Sequence, residues 1–377
     1  MSEISMVSIR IIQSLWIPCW MGQKFSAVPA PNWAWIPQTL ILKQIMTLSK
    51  AFVEWLEVDE DQAGQRLDNF LQGYLKGVPK SHVYRLLRNG EVRVNSKRAD
   101  PSYRLQSQDR LRIPPVRRAT PEEVAAVPPL PVSLRSEVLH EDEGLLVLNK
   151  PAGVAVHGGS GIRLGVIEQL RQDRPDARFL ELVHRLDRDT SGLLLVAKKR
   201  AVLVALHELL RHNRMEKSYL ALVQGQFPQA RQRVNLPLHK YMTASGERRV
   251  AIQAEGKPSE TLFTRLQTWP EATLLEARLL TGRTHQIRVH LAHLGFPIAG
   301  DDKYGNYDWN HQLTRLGFKR MFLHAARLSF VHPLDQRPLV FEAPLPLPLA
   351  QILTRLAKSG LGEESLAPPR RVRQKQE

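Results

Sequence analysis

Residues 181–198 (Glu-Leu-Val-His-Arg-Leu-Asp-Arg-Asp-Thr-Ser-Gly-Leu-Leu-Leu-Val-Ala-Lys) concentrate side chains able to do chemistry. His184, Arg185, Asp187, Arg188 and Asp189 stand between the apolar pair Leu182-Val183 and the apolar run 193–197. Both apolar stretches read as buried strands. Thr190, Ser191 and Gly192 close the turn between them, satisfying backbone groups locally and permitting unusual dihedrals. Charges on a tight connection held by a sheet are where catalytic groups tend to sit. A carboxylate placed there can attack an electrophilic carbon or stabilise positive charge. A solvated turn of compensating charges would have a similar composition. Two features argue for chemistry: Leu186 splits the charges as an inward anchor would, and a matching cation follows about a hundred residues later.

That cation is Arg288, within residues 281–295 (Thr-Gly-Arg-Thr-His-Gln-Ile-Arg-Val-His-Leu-Ala-His-Leu-Gly). The pattern predicts a helix capped by Thr284 and ended by Gly295, with Ile287, Leu291 and Leu294 inward. Arg288 then lies in the first turn, where the helix dipole opposes a cation, so a buried carboxylate partner is expected. His285, His290 and His293 lack an accompanying carboxylate or cysteine at a familiar metal spacing, and no metal is expected. Residues 217–225 alternate as a strand that sets Tyr219 on the face opposite Leu220 and Leu222. The glycine-rich run 156–161 reads as a flexible loop and lacks the Lys-Ser/Thr of a nucleotide-binding P-loop.

These groups need a scaffold, and the rest of the chain outlines one. Residues 138–150 read as two strands meeting at Asp142-Glu143-Gly144, and residues 150–153 turn the chain. Residues 200–214 predict an amphipathic helix with Leu203, Leu206, Leu209 and Leu210 inward. Residues 229–258 read as a hairpin or loop excursion, 274–280 as a strand, and 321–342 as final strands. Upstream, residues 55–63 suggest a strand. Leu67, Phe70, Leu71 and Leu75 lie on one helical face, and Ser81 is expected to cap a second helix that Gly90 ends. Val92 and Val94 alternate with charges before an Asn95-Ser96 turn.

Composition bounds the setting. The 377 residues allow two domains, and a formal charge of +16 points to a polyanionic partner. Residues 66–118 hold thirteen Lys or Arg against four Asp or Glu, a net +9 in about fifty residues. Cys19 is the only cysteine, which excludes a disulfide within the chain and fits a reduced, cytoplasmic setting. No apolar run approaches the roughly 20 residues of a membrane span. Residues 1–50 hold four of the seven tryptophans without a clear period. Residues 11–21 resemble a weak export signal with Ala30 as a cleavage position, but the intracellular character of the remainder argues against export. Met46 is the expected physiological start, and residues 1–45 are given no function.

The basic unit resembles an S4 RNA-binding domain through Arg66-Leu-Asp68, Ser81, Gly90 and Val92-x-Val94-Asn95. Arg66, Lys80, Arg85, Arg88, Arg93, Lys97 and Arg98 are its candidate RNA contacts. Four further motifs together resemble the RluA-type pseudouridine synthases: residues 149–153 (Asn-Lys-Pro-Ala-Gly), 184–192 (His-Arg-Leu-Asp-Arg-Asp-Thr-Ser-Gly), 219–223 (Tyr-Leu-Ala-Leu-Val) and 281–290. The resemblance covers residues 55–350. It implies an α+β fold, with an N-terminal S4-like α-β domain before a catalytic domain built on a long mixed, mostly antiparallel sheet. The expected division is an extension over 1–50, the S4-like domain over 64–118, a Pro-rich linker over 119–133, the catalytic domain over 134–350 and a basic tail over 360–377.

The resemblance further implies isomerisation of specific uridines in 23S ribosomal RNA, without cofactor or metal. The partner is large-subunit rRNA or the assembling large subunit, and a monomer is favoured. Asp187 matches the family's catalytic aspartate, and could attack the base, attack the sugar or stabilise charge at C1′. Arg288 matches the arginine that pairs with it, and Tyr219 the tyrosine stacked on the flipped base and placed to help remove the C5 proton. Arg185 matches the residue that fills the gap left by the flipped nucleotide. Two other classes fit part of the pattern. One is an S4-type RNA-binding or assembly protein with an inert motif, against which the joint presence of carboxylate, cation and tyrosine argues. The other is a related synthase acting on tRNA or a different rRNA helix. The S4-like unit favours structured rRNA.

Overall fold

The computed structural model describes residues 53–60, 62–75, 78–116, 130, 132–158, 164–177, 179–332 and 335–359. The expected extension over 1–50, nearly all of the linker over 119–133, the basic tail over 360–377 and part of the loop over 156–161 lie outside the described residues.

The first unit runs β1 (Glu54–Glu57), α1 (Leu67–Tyr74), α2 (Lys80–Asn89), β2 (Arg93–Val94) and β3 (Arg110–Ile113). Its antiparallel sheet has the order β1-β3-β2. Leu67, Leu71, Val83, Leu87, Val94 and Leu111 form a core of their own. Asn95 and Ser96 both take positive φ, and Val94 and Lys97 exchange backbone hydrogen bonds of 3.0 and 2.9 Å across them. This is the two-residue hairpin that matches strand twist. Gly90 ends α2 in the left-handed region, as expected. Ser81 does not cap that helix. Pro79 holds the cap position and Lys80 begins the helix, so Ser81 falls inside the first turn. The expected strand over 55–63 stops at Glu57, because Asp59 accepts a hydrogen bond from the Gln62 amide at 2.8 Å and turns the chain.

The second unit supplies the large sheet. In chain order it holds β4 (Val138–Glu141), β5 (Leu145–Lys150), α3 (Val166–Asp173), β6 (Glu181–Leu182), β7 (Ser191–Ala197), α4 (Arg200–Arg211) and β8 (Glu216–Gln224). It continues with β9 (Arg231–Asn235), β10 (Leu238–Met242), β11 (Arg248–Ile252), β12 (Glu260–Thr268), β13 (Ala272–Leu279) and α5 (Gln286–His293). It closes with α6 (Tyr307–Arg315), β14 (Leu323–Val331), β15 (Pro338–Glu342) and α7 (Leu347–Ser359). Ten strands form one mixed sheet in the order β4-β5-β7-β14-β8-β13-β12-β9, with β15 on β14 and β6 on β7. Strands β10 and β11 make a separate hairpin. Residues 229–258 therefore contain that hairpin, but also an edge strand of the main sheet that their polar composition did not suggest.

All seven residues of β7 are buried, which is why its sequence is an unbroken apolar run. In α4, Val202 and Leu206 are the fully buried positions, while Leu203, Leu209 and Leu210 are only partly covered. Helices α3, α6 and α7 were not read from the sequence. The first two are only eight and nine residues long. The third follows a proline-rich approach, and packs Leu349, Ile352 and Leu356 against Trp309, Phe318 and Phe322. No described helix is long and apolar enough to cross a membrane.

One junction positions the charged turn. Every pairing in the large sheet is antiparallel except that of β7 with β14, which pairs only Ser191 and Gly192 with His324 and Ala325. Beyond Gly192 that flank of β7 passes to β6. The turn at 184–190 thus emerges where the two halves of the sheet meet. Gly192 has a φ of +108°, and a Cβ there would stand 2.3 Å from the Ala325 carbonyl oxygen. Only glycine allows the strands to approach this closely. Gly192→Ala is expected to destabilise the protein by about 2–4 kcal/mol, combining a strained φ with overpacking. Thermal unfolding beside the parent measures this, and an unchanged midpoint would show that the junction tolerates a side chain.

Candidate active site

The turn carrying Asp187 is fastened from behind. Leu186 is buried, as an anchor should be. The Thr190 amide donates to the Asp187 carbonyl at 3.2 Å and closes the turn. The next carbonyl, of Arg188, accepts from the Gly153 amide at 2.9 Å and from Lys150 Nζ at 3.0 Å. Lys150 is fully buried, and its ammonium also donates to the carbonyls of Pro151 (2.7 Å) and Val154 (2.8 Å). Burial draws this ammonium down to about 7, against the pull of Asp189 and Asp187. Three carbonyl acceptors need three N–H donors, so the geometry is that of the charged form. The sequence marked residues 150–153 only as a turn. The structure makes them the brace of the turn that carries Asp187.

Arg288 sits in the first turn of α5 and is buried, as the dipole argument required. Its principal partner is Asp301, not Asp187. Nε and Nη2 donate to the two Asp301 oxygens at 2.7 Å each, the fork geometry of a strong ion pair. Nη1 reaches Asp187 Oδ2 at 3.3 Å, and Nη2 reaches the exposed Asp302 at 3.5 Å. The Asp301 side chain is fully buried, while that of Asp187 is 19% exposed. Burial alone would raise the Asp301 carboxyl. Arg288 and the amides of Tyr304 and Lys303 outweigh it and hold the group below the usual carboxylate range. The Arg288 guanidinium is correspondingly raised, its burial being outweighed by Asp301 and Asp187.

Thr284 does not cap α5. His285 holds the cap position in the left-handed region, with φ of +54°. The end is instead closed by the Gln286 side chain, whose Oε1 accepts from the Arg283 amide (2.9 Å) and the Thr281 hydroxyl (2.8 Å). This strained cap turns the His285 ring into the site. Nδ1 meets the Tyr304 hydroxyl at 2.8 Å, and Nε2 lies 3.8 Å from Asp187. Tyr304 also accepts from the Val250 amide and lies beneath the Arg288 guanidinium, 5.1 Å from ring to cation. Burial lowers His285 more than Asp187 raises it, favouring the neutral ring. His290 is spent elsewhere, between Ser259, Thr261 and the Leu236 carbonyl.

Tyr219 shares a face of β8 with Lys217, Ala221 and Val223, opposite Leu222, as its phase implied. Its cross-strand neighbours are Ala277 and Ala325, small residues that leave the ring room. Burial and the charge of Asp187 raise the phenol, so it stays protonated at neutral pH. Asp187, Tyr219, His285 and Arg288 line one cleft of about 680 Å³, with Arg185 exposed on its wall. The site is thus assembled from the β6–β7 turn, β8 and α5. Asp301, Lys150, His285 and Tyr304 were missed as contributors. The only signal for Asp301 was a pair of acids, Asp301 and Asp302, after Gly300 on the far side of α5, and for Lys150 a lysine closing an apolar run.

In the first unit, Lys80, Arg85, Arg88, Arg93, Lys97 and Arg98 are exposed. Arg66 is exposed too, but its guanidinium is engaged with buried Asp68 at 2.7 and 3.1 Å. Arg93 and Arg98 donate to carbonyls at the end of α2. Arg88 and Lys97 have no carboxylate partner among the described residues.

A mixed sheet with a carboxylate turn at its seam, an arginine behind it and a buried tyrosine beside it defines a class of enzyme. Residues 144–293 match the RNA pseudouridylate synthase family and residues 65–111 match the S4 domain. The chain is a member of the pseudouridine synthase family, a group of isomerases, and carries an S4 RNA-binding domain ahead of its catalytic one. It is 55% identical over 305 residues to ribosomal large subunit pseudouridine synthase C of Salmonella typhi, covering 80% of this chain and 96% of that one. Identity to the protein of that name from Escherichia coli (strain K12) is 54% over 308 residues, covering 81% and 97%. The solved structure of human RNA Pseudouridylate Synthase Domain Containing 4 aligns with a TM-score of 0.50 at 26% identity, over 59% of this chain and 94% of that one.

The Arg288 pairing predicts an asymmetry between single and double variants. Arg288→Ala strands Asp301 as a buried, unpaired charge and is expected to cost about 3–5 kcal/mol. Arg288→Ala combined with Asp301→Ala should recover much of that stability without recovering activity. Denaturant unfolding of the three proteins tests this, and a double variant no more stable than the single would overturn the pairing. The pH dependence has a definite sign. Asp301 is lowered on folding, so its contribution is full above about pH 4 and is lost as the pH falls below that.

Proposed function

We propose that the protein isomerises specific uridines of large-subunit ribosomal RNA to pseudouridine, with Asp187 as the catalytic carboxylate. The observation that carries this reading is the meeting of Asp187, Arg288 and Tyr219 in one cleft. Among the described residues the cleft is lined by five Lys or Arg and by no carboxylate other than Asp187. Such a cleft accepts a polyanion and holds one negative group where the reaction needs it. The names of the bacterial relatives support the large subunit as the source of the RNA.

In the reaction the N1–C1′ bond breaks, the uracil turns over, C5 bonds to C1′, the C5 proton leaves and N1 takes up a proton, so atoms balance without a co-reactant. Asp187 acts while C1′ or the base is electron-poor, either by bonding to it or by stabilising its charge. Arg288, fixed by Asp301, aims Oδ2 of Asp187 and keeps it from swinging away. Tyr219 offers a flat, protonated ring for the base to stack on, beside the carbon that must lose a proton. Arg185, exposed at the cleft, is placed to fill the gap in the RNA. Flipping the nucleotide costs a few kcal/mol, which contacts of this kind offset.

We assign phosphate binding to the S4-like domain at 64–118, joined by the linker over 119–133 to the catalytic domain over 134–350. The protein would act in the cytoplasm on rRNA or on the assembling large subunit. Asp187→Asn keeps the shape but removes charge and nucleophilicity. It should fold and bind RNA as the parent does while forming no pseudouridine, and turnover by the purified variant would remove Asp187 from this role.

Arg88→Ala and Lys97→Ala should each lower the log–log salt slope of rRNA binding by about 0.7–0.9 without loss of stability. Arg66→Ala should instead lower stability, because it strands Asp68. Equal slopes for all the proteins across a salt series would show that this domain does not grip the RNA backbone.

A further inference from the structure

Among the described residues, the cleft contains one buried cation without a counter-ion. Arg288 is committed to Asp301 and Asp187, and Arg211 to Glu208. The Arg283 Nε donates to the Pro258 carbonyl, and Arg185 is bathed by solvent. Lys217 differs from all of these. It is only 8% exposed, and its ammonium makes a single long hydrogen bond, 3.3 Å to the Met215 carbonyl. No carboxylate lies within ion-pair distance of it among the described residues. Burial alone pushes this ammonium down, and the neighbouring His184 ring is pushed down by its own burial first and by the Lys217 charge second. An ammonium has three donors, so two are unspent. A buried cation without a counter-ion is costly, and a fold gains nothing structural from keeping one. The arrangement makes sense if an anion arrives.

We propose that Lys217 is a substrate-positioning residue whose ammonium binds a phosphodiester oxygen of the target nucleotide when that nucleotide enters the cleft. This rests on the reading of the cleft as the place where the uridine is held. Lys217 and Tyr219 alternate on β8, point to the same face and stand about 7 Å apart along the strand. A base stacked on Tyr219 leaves its own ribose phosphate within reach of the next inward side chain. That side chain is Lys217. The ligand is assigned as phosphate, not as a uracil carbonyl, because only an anion neutralises the ammonium. Contact with the charge also explains why the position carries a lysine instead of one of the apolar residues, Ala221 and Val223, that follow on the same face.

The test uses the full-length protein and an rRNA fragment bearing a uridine that the parent is first shown to modify. Binding is measured in the Asp187→Asn background, so that turnover does not confound affinity. Lys217→Met should weaken binding about ten- to a hundredfold, the worth of a charge-assisted hydrogen bond, and lower the salt slope by about 0.7–0.9. Lys217→Arg should restore most of both. A single neutral methylphosphonate linkage beside the uridine should weaken parent binding by a similar factor, yet change Lys217→Met binding by less than twofold.

The assignment is overturned if methylphosphonates on neither side weaken the parent more than twofold, or if their penalty is the same with and without the lysine. It is also overturned if the penalty follows a uridine whose O4 is replaced by sulfur. Should Lys217→Met fail to fold, the methylphosphonate scan on the parent and Lys217→Arg still decides the matter. If Asp187→Asn retains turnover, the reading of the cleft fails whatever the salt slope shows. If it is inert and the slope is unmoved, only the phosphate assignment falls.

Discussion

The active site depends on one buried arginine. Arg288 is 3% exposed at its side chain and is held by Asp301 through two bonds of 2.7 Å. An ion pair this deep repays its desolvation only if the geometry is good and the remaining lone pairs are satisfied. Asp301 meets both conditions, since its Oδ1 also accepts from the amides of Lys303 and Tyr304. The residue that would do the chemistry is therefore the junior partner. Asp187 receives the remaining Nη1 donor at 3.3 Å and retains access to the cleft. This division suits a catalytic carboxylate. A group locked in a bidentate pair is oriented but spent, whereas one touched by a fixed cation is oriented and still available.

The second constraint is the seam of the sheet. A parallel contact two residues long joins the β7 half to the β14 half, and Gly192 sets how closely they approach. The Asp187 turn leaves the sheet there, with its back tied to Lys150 and Gly153. Ser191 at the same point bonds to His324 and Arg320, so the seam is stitched on the β14 side as well. The turn is a loop by conformation, but it is held like a strand. Function on a connection fixed by a rigid scaffold is a common solution.

The two domains divide the polar work differently. In the catalytic domain the decisive charges are buried and paired, and their value lies in geometry. In the S4 domain the basic side chains are exposed, and several are already bonded to carboxylates or carbonyls of their own unit. Arg66 with Asp68, and Arg98 with the carbonyl end of α2, hold the domain in shape. Arg88 and Lys97 are exposed and have no carboxylate partner among the described residues. The net +9 already counts Asp68 against Arg66, and an arginine bonded to a carbonyl keeps its charge.

The sequence by itself determined which residue types meet and roughly where they sit along the chain. The apolar run after Gly192 had to be a buried strand. Alternation had to set Tyr219 opposite Leu222. A cation in the first turn of a helix had to have a carboxylate partner. Those inferences rest on periods of two and 3.6 and on the helix dipole, which are local and legible. Only the tertiary structure decided which carboxylate that partner was. Asp301 and Asp187 are both compatible with Arg288 in sequence, and the choice between them is made by burial and distance in three dimensions. The caps escaped for the same reason. Ser81 and Thr284 have the right chemistry, but Pro79 and His285 occupy the cap positions. Lys150 and Lys217 show the limit most clearly. In a sequence each is a lysine beside an apolar stretch. In the fold one is surrounded by three carbonyls and the other makes a single long hydrogen bond at the cleft, a difference that exists only once strands from distant parts of the chain are packed together.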